Sequence, residues 1–451
     1  MSNLLGSLEI GKRALNVQRM GITIAGHNLA NVNTPDFARQ RPEITGAEVT
    51  QIRQIRDKFL EARFRQLTQD SAGSDVESER LRQLEVLFGD LSDTGITSVL
   101  SEFWDAFSDL TTQPESQAAR ITAIQNGETL AAELKGLYLD FSQMHTDLDT
   151  EIQDEVTQVN QIAESIAQLN REIIAIEGTG VNANDQRDRR AQHLTELSEI
   201  INFSVTEEDN GSTRLTIGGF ALVDGVNVSE LKKNTVSTAS LGVTSSIGDV
   251  STTTILSEGG LPISITRGKL AGLINVRDNR IPEMVERLDL LTNTLMDEVN
   301  DLHRSGYGLD GTTQIPFFSG SSIKDISVNP LLQTHSEKLA VAGTIDAEGD
   351  NQIALAIAQK RHEKLFSDGT ETFEEFNNST IGIIGVYTQH ARRQAENNEL
   401  LLQQTRAIRE SVSGVSIDEE LSNLILFQRA YESAARYISI VDGLLETLIN
   451  M

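Results

Sequence analysis

Apolar residues recur at alternating steps of three and four near both ends of the chain. Towards the C-terminus the series is Leu424, Phe427, Tyr431, Ala434, Ile438, Val441, Leu445 and Leu448. Every position is apolar or small. A period of 3.5 predicts a helix that packs along its length against another helix. Its start is also marked. Gly414 breaks what precedes, Ser416 can cap, and Glu419 sits three residues on, where it completes a capping box. Asp418, Glu419 and Glu420 load the first turn with negative charge, which suits the helix dipole. At 1.5 Å per residue such a helix is a rod roughly 50 Å long. From the N-terminus, Leu4, Leu8, Gly11, Leu15, Gln18, Ile22, Ala25 and Leu29 follow the same stepping, with Gly11 and Gln18 as interruptions. Matched helices at the two ends predict paired termini, with everything between looping out from that pair.

The middle of the chain continues the helical pattern. Ser74 with Glu77 reads as a capping box opening a helix over Leu81, Leu84, Leu87 and Phe88. Gly95 precedes a second apolar helix, through Leu100, Phe103, Trp104, Phe107 and Leu110, which stops before Pro114. The 3.5 stepping returns at Leu130, Leu134, Leu137, Phe141, Met144 and Leu148. It goes on through Ile152, Val156, Val159, Ala163, Ile166 and Ile173. Gly178 and Gly180 end this very long helix. Residues 201–264 change character. Ser204-Val-Thr, the segment from Arg214 and the segment from Ala221 read as short strands with Asp-Gly and Asn-Gly turns. Helix resumes near Gly268, residues 305–350 are loop-rich, and Thr372 with Glu375 caps a helix running to about Val412.

The fold class is therefore mainly α with a β insert. Residues 1–40 and 414–451 form a terminal coiled-coil domain. Residues 41–200 and 265–413 form a long helical bundle domain. Residues 201–264 form a small inserted β domain.

Charge and composition narrow the function. The chain has 451 residues and a formal net charge of −28. Residues 1–65 hold ten Lys and Arg against six Asp and Glu, so the remainder is more acidic still. Such a body argues against nucleic acid, whose affinity rests on cations that neutralise phosphates. Cysteine is absent, which excludes disulfides, thiolate zinc sites and cysteine nucleophiles. Met1 to Gly11 lacks the pattern of a cleaved signal peptide. No apolar run approaches the roughly 20 residues that span a bilayer, so no membrane insertion is expected. By these rules alone the protein would be cytoplasmic, unless it leaves by a signal-independent route.

No catalytic constellation emerges. Gly306-Tyr-Gly-Leu-Asp-Gly311 matches G-x-G-x-x-G, but a helix precedes it and no helix start follows, so it reads as a loop. The seven histidines lack metal-ligand spacing, and acidic pairs such as Asp346 with Glu348 lack that of a calcium loop. No cofactor or metal is expected, and the chain reads as no enzyme.

After the first helix comes Asn28-Leu-Ala-Asn31-Val-Asn33-Thr34-Pro35-Asp36-Phe37. The asparagines stop the helix, and Pro35 holds Thr34 extended. This segment, with Arg39-Gln40 behind it, resembles the N-terminal signature of the bacterial flagellar axial proteins: rod, hook and hook-associated proteins. Leu424-Ile-Leu-Phe-Gln-Arg-Ala-Tyr-Glu432 resembles that family's C-terminus. The family usually has Gly-Tyr after the proline. Asp36-Phe37 stands here, and Asp suits a type I turn better than type II, so a different local turn is expected.

Phe103–Pro114, Gly268–Asp278, Asn300–Gly311 and Gly349-Asp-Asn are similar to the hook-associated branch at the hook–filament junction. The resemblance implies a structural protein outside the cell, exported without a cleaved signal peptide. It implies a ring-like self-assembly through Leu4, Leu8, Leu15, Ile22, Leu29, Asn31, Asn33, Pro35, Leu424, Phe427, Tyr431, Ile438, Val441, Leu445 and Leu448. Implied partners are the hook protein, the second junction hook-associated protein, the flagellar export apparatus and an export chaperone at the C-terminal helix. The alternatives are another axial protein (hook or rod) and a cytoplasmic coiled-coil scaffold.

Overall fold

The computed structural model describes residues 2–46, 48–88, 95–237 and 251–449. The chain opens with α1 (Ser2–Ala30), then a hairpin of β1 (Gln40–Thr45) and β2 (Glu48–Gln54), bulged between Glu43 and Ile44. The bulge and Pro42 break the strand alternation, which hid this hairpin from the sequence reading. Next is α2 (Lys58–Phe88). Its cap is Asp57, whose carboxylate accepts from the amides of Phe59 at 2.8 Å and Leu60 at 3.1 Å. The predicted start at Ser74 is corrected by this cap. Ser74 lies inside α2 and its hydroxyl donates back to the Asp70 carbonyl at 2.8 Å, as an interior serine does.

The body is built on α3 (Ile96–Thr112) and α4 (Gln117–Glu177). Ser116 caps α4, accepting from the Ala119 amide at 3.3 Å. All twelve residues of the predicted seam from Leu130 to Ile173 are buried. At 61 residues α4 spans roughly 90 Å. It is followed by α5 (Asn184–Ile200).

The β segment folds as two antiparallel sheets. One orders β3 (Ser204–Glu207), β4 (Thr213–Ile217), β5 (Phe220–Asp224) and β6 (Asn227–Val228) consecutively. The other joins β7 (Leu231–Ser237), β8 (Ser251–Ser257) and β9 (Pro262–Ile263). Gly218 and Gly219 both take positive φ in the two-residue turn between β4 and β5, the requirement of a tight hairpin. The sheets do not close on themselves. Leu215, Leu222, Val223 and Ile255 join the same buried cluster as α4. Two asparagines of α4 fix the register. Asn170 donates to the carbonyls of Thr213 and Gly225. Asn160 donates to and accepts from the backbone of Leu231, both at 2.9 Å.

The chain returns through α6 (Lys269–Asn275), a π-helical turn at Val276–Arg280, and α7 (Ile281–Ser305). The loop-rich stretch holds β10 (Phe318–Ser319), β11 (Ser327–Val328), α8 (Pro330–Thr334) and α9 (Gln352–Gln359). Here sits an aromatic cluster, with Phe103, Trp104, Phe107, Phe317, Phe318 and Phe373 all buried and in edge or tilted contact.

Finally α10 (Phe373–Ser413) runs back antiparallel to α2, with Ser71 against Glu399 and Glu61 against Arg409. Its capping box at Thr372 and Glu375 is formed as predicted. A short link then leads to α11 (Ile417–Ile449).

Candidate assembly surfaces

The two terminal helices pair antiparallel. Gly11 lies against Ile438, Gly21 against Phe427, and Asn28 against Glu420. Each ten-residue advance on α1 is therefore matched by a similar retreat on α11. The seam read on α11 is the face that meets α1. Val441 is buried, and Leu424, Phe427, Tyr431, Ile438 and Leu445 are half-buried. Leu448 stands in the same helix, but its side chain lies outside the described residues.

On α1 the contact face is rotated from the predicted one. Gly11, Val17, Gly21, Ile24, Ala25 and Asn28 are buried, while Leu4, Leu8, Leu15, Ile22 and Leu29 are half-buried beside them. Gly11 is thus no interruption. A Cβ added there would stand 2.7 Å from Ile438 Cγ1, and one at Gly21 would stand 2.6 Å from Phe427 Cδ1. The glycines are seats for large residues of α11, and the pair packs closely because they lack side chains.

One helix can bury only one face against one partner. The outer faces keep Leu5, Ile10 and Met20 on α1, and Leu421, Ile425, Leu426, Tyr437, Ile440 and Leu444 on α11, exposed. A row of that length is more than scattered surface hydrophobics.

The base of the pair is clamped to the body by polar groups. Buried Asn28 donates to the Gln40 carbonyl at 2.9 Å and to Glu420 at 3.1 Å, and its own oxygen accepts from the Gln40 amide at 2.9 Å. Arg39 reaches both Glu419 and, at 3.4 Å, Glu420. In the turn between, Asn31 donates to the His27 carbonyl and accepts from the Thr34 hydroxyl. Asn33 and Pro35 are exposed.

Asp36 sits at φ 57°, the left-handed conformation that glycine would take. The expectation of a different turn is corrected here. Aspartate tolerates this region, and its carboxylate bonds Arg409. Arg409 also donates to Glu61 at 2.8 Å, and Arg56 joins Asp188 at 2.6 Å to the Asp36 carbonyl at 2.6 Å. Burial acts to lower the Arg409 pKa, but Glu61 and Asp36 outweigh it and hold it above the ordinary value. Burial pushes the Asp188 carboxyl up, against the pull of Arg56.

Beside this clamp opens a cleft of about 500 Å³, lined by Arg56, Arg65, Arg187 and Arg190 and by Glu61, Glu177 and Glu207. Most of these groups are spent on one another. Arg187 bonds Glu177 and Glu207, and Lys58 bonds Glu207 at 2.9 Å.

The glycine motif at 306–311 is a loop after α7, pinned by Tyr307 bridging Ala342. His303 lies beneath it, fully buried. Its Nδ1 bonds the Ile315 carbonyl at 2.6 Å and its Nε2 accepts from the Ala340 amide at 2.9 Å. Burial pushes its pKa down to about 4, so the ring is a neutral staple.

Residues 81–318, more than half of the chain, match the family described as the flagellar hook-associated protein FlgK helical domain. The chain belongs to the FlgK family. Residues 409–451 match the flagellar basal body rod FlgEFG protein C-terminal region, which spans the end of α10 and all of α11. Among curated relatives, flagellar hook-associated protein 1 of Bacillus subtilis is 27% identical over 511 residues, covering 100% of this chain and 99% of that one. The protein of that name from Salmonella typhimurium is 23% identical, with both chains covered fully. The flagellar hook junction protein FlgK from Burkholderia pseudomallei shares the fold with a TM-score of 0.67 at 14% identity, covering 78% of this chain and 100% of that structure.

Sequence reasoning missed Gly21 and Arg409, and read Asn28 and Arg39 only as part of a signature and not as a clamp. Gly11 and Gly21 carried a usable signal, because paired glycines on an otherwise apolar helix mark close approach of a neighbour. The ion pairs carried none, since their partners lie hundreds of residues apart.

Proposed function

We propose that this FlgK-family chain is a structural subunit of the bacterial flagellum at the hook–filament junction, and that it works by packing and not by chemistry. The observation that carries the reading is the terminal pair. It buries one face of each long helix internally and leaves a second apolar row uncovered. Such a row is covered when copies stand side by side in a ring or tube. The half-buried Leu8, Leu15, Ile22, Leu29, Tyr431, Ile438 and Leu445 would then complete their burial against neighbours. Residues 1–40 and 414–451 act as the assembling domain, 41–200 and 265–413 as the bundle, and 201–264 as the β insert carried outside.

Its neighbours in this reading are further copies, the hook protein on one side and the second junction protein on the other. The chain reaches them through the flagellar export apparatus without a cleaved signal, with a chaperone covering the apolar face of α11 on the way. A junction subunit is an adaptor between two lattices, and specificity at each face is a difference of affinities. Deleting the gene should leave hooks on the cells, remove filaments and release unpolymerised filament protein into the medium. Loss of the hook itself would point to a rod or hook protein, the reading favoured by the match at 409–451 alone. Normal filaments on the deletion strain would end the junction reading.

A further inference from the structure

Two surfaces near the base of the molecule remain exposed and complement each other. The first is the start of α2. Phe59 is 78% exposed, the most exposed of the chain's large hydrophobic side chains among the described residues. Lys58 precedes it, 88% exposed although it bonds Glu207 at 2.9 Å, and Arg63, one turn on, is also exposed. Glu61 and Phe64 of α2 face α10, so helical spacing turns Phe59 to the opposite side. The second surface is a stripe on the end of α10 and the start of α11. Leu401, Ile408, Val412, Ile417 and Leu421 are exposed along it, edged by exposed Glu410 and Asp418. Asp418 makes no ion pair among the described residues. Both surfaces stand at the same height. The antiparallel register that sets Glu61 beside Arg409 places Phe59 near the level of the last turn of α10.

We infer that Phe59 of one copy docks into the apolar stripe around Val412 and Leu421 of a second copy, with Lys58 and Arg63 against Glu410 and Asp418. The inference rests on the axial-assembly reading above. The occupant is another copy because the charges match, cations in the one basic region of an acidic chain against acids on its helical end. The levels match as well. The two surfaces lie on different sides of one molecule, so the contact is head-to-side and propagates from copy to copy, closing into a ring or continuing as a helix. It meets the outer row of the terminal pair only at Leu421.

The natural absence of cysteine makes the test direct. A chain carrying Phe59→Cys and Leu421→Cys is expressed in the deletion strain, and isolated hook structures are oxidised and run without reductant. A ladder of multimers is expected from assembled material, and none from dilute purified monomer. Separately, Lys58→Glu with Arg63→Glu should cut incorporation at least severalfold while leaving the circular dichroism of the purified protein unchanged. Adding Glu410→Lys and Asp418→Lys should restore it. Assembled junctions that give no ladder, or a charge-reversed chain that incorporates as the natural one does, would overturn the inference. Absence of the unmodified protein from hook structures would instead count against the junction reading itself.

Discussion

The terminal pair and the body use opposite packing strategies. Around Phe103, Trp104, Phe107, Phe317, Phe318 and Phe373 the body buries its large side chains completely, against several elements at once. Among the described seam side chains of α11 only Val441 is buried, and the others stop halfway. Both regions are apolar and helical, so hydrophobicity does not separate them. Neighbour number does: the body surrounds each element, whereas along most of their length the terminal helices have each other and, on α1, the β1–β2 hairpin. A single long helix gains little on its own and depends on tertiary contacts. The body is therefore closed on itself, whereas the terminal pair leaves an apolar row uncovered.

The largest effect should come from cutting the body. Trp104→Ala leaves a cavity in a fully packed aromatic cluster and should cost about 3–5 kcal/mol, read by chemical denaturation. A loss below about 1 kcal/mol would remove the contrast between the regions. Next is the acid response of the body. The pKa of His303 in the fold, about 4, lies below its ordinary value of 6.5. The unfolded chain therefore takes up the proton first. Stability from the neutral ring is fully present above pH 6.5 and declines as pH falls towards 4, by on the order of 3 kcal/mol. Comparing the pH dependence of melting with that of His303→Gln isolates this part, which should vanish in the variant.

A smaller effect on the isolated protein is expected at the terminal pair. Gly21→Leu collides with Phe427 and should detach α1 from α11. Proteolysis should then trim both ends faster, while the melting of the body moves by less than about 1 kcal/mol. Motility should nevertheless be lost. Ile438→Asp should do the same by placing a charge in the seam, costing several kcal/mol locally if left unpaired. A large drop in body stability from either variant would make the terminal helices part of the core. The smallest effect is expected at the joint between the regions. Asp36→Gly relieves the left-handed backbone but removes one partner of Arg409. These oppose each other, so stability should change by no more than about 1 kcal/mol. Asp36→Ala keeps the strain and loses the pair, and should be the worse of the two.

Helical periodicity made much of this molecule legible. The α11 seam, the long seam of α4, the cap at Thr372 and the turn glycines of the β segment were all readable, because each depends on residues close in sequence. A 3.5 step or a capping box is a local rule, and the final fold left these local choices in place. The resemblance at Asn28–Gln40 and Leu424–Glu432 was legible for the same reason, as contiguous stretches. Ser74 was misread because a capping pattern does not reveal whether the helix has already begun.

What only the tertiary structure decided was who meets whom. Gly11 looked like a defect until Ile438 filled the space above it, and which face of α1 turns inward was set by those glycine seats. Asp36 takes a glycine-like conformation because Arg409, from the far end of α10, holds its carboxylate while Arg56, beyond the hairpin, holds its carbonyl. The β sheets lean on α4 through Asn160 and Asn170, a dependence invisible in strands read alone. Contacts between distant segments depend on chain closure and shape, which no short window of sequence contains.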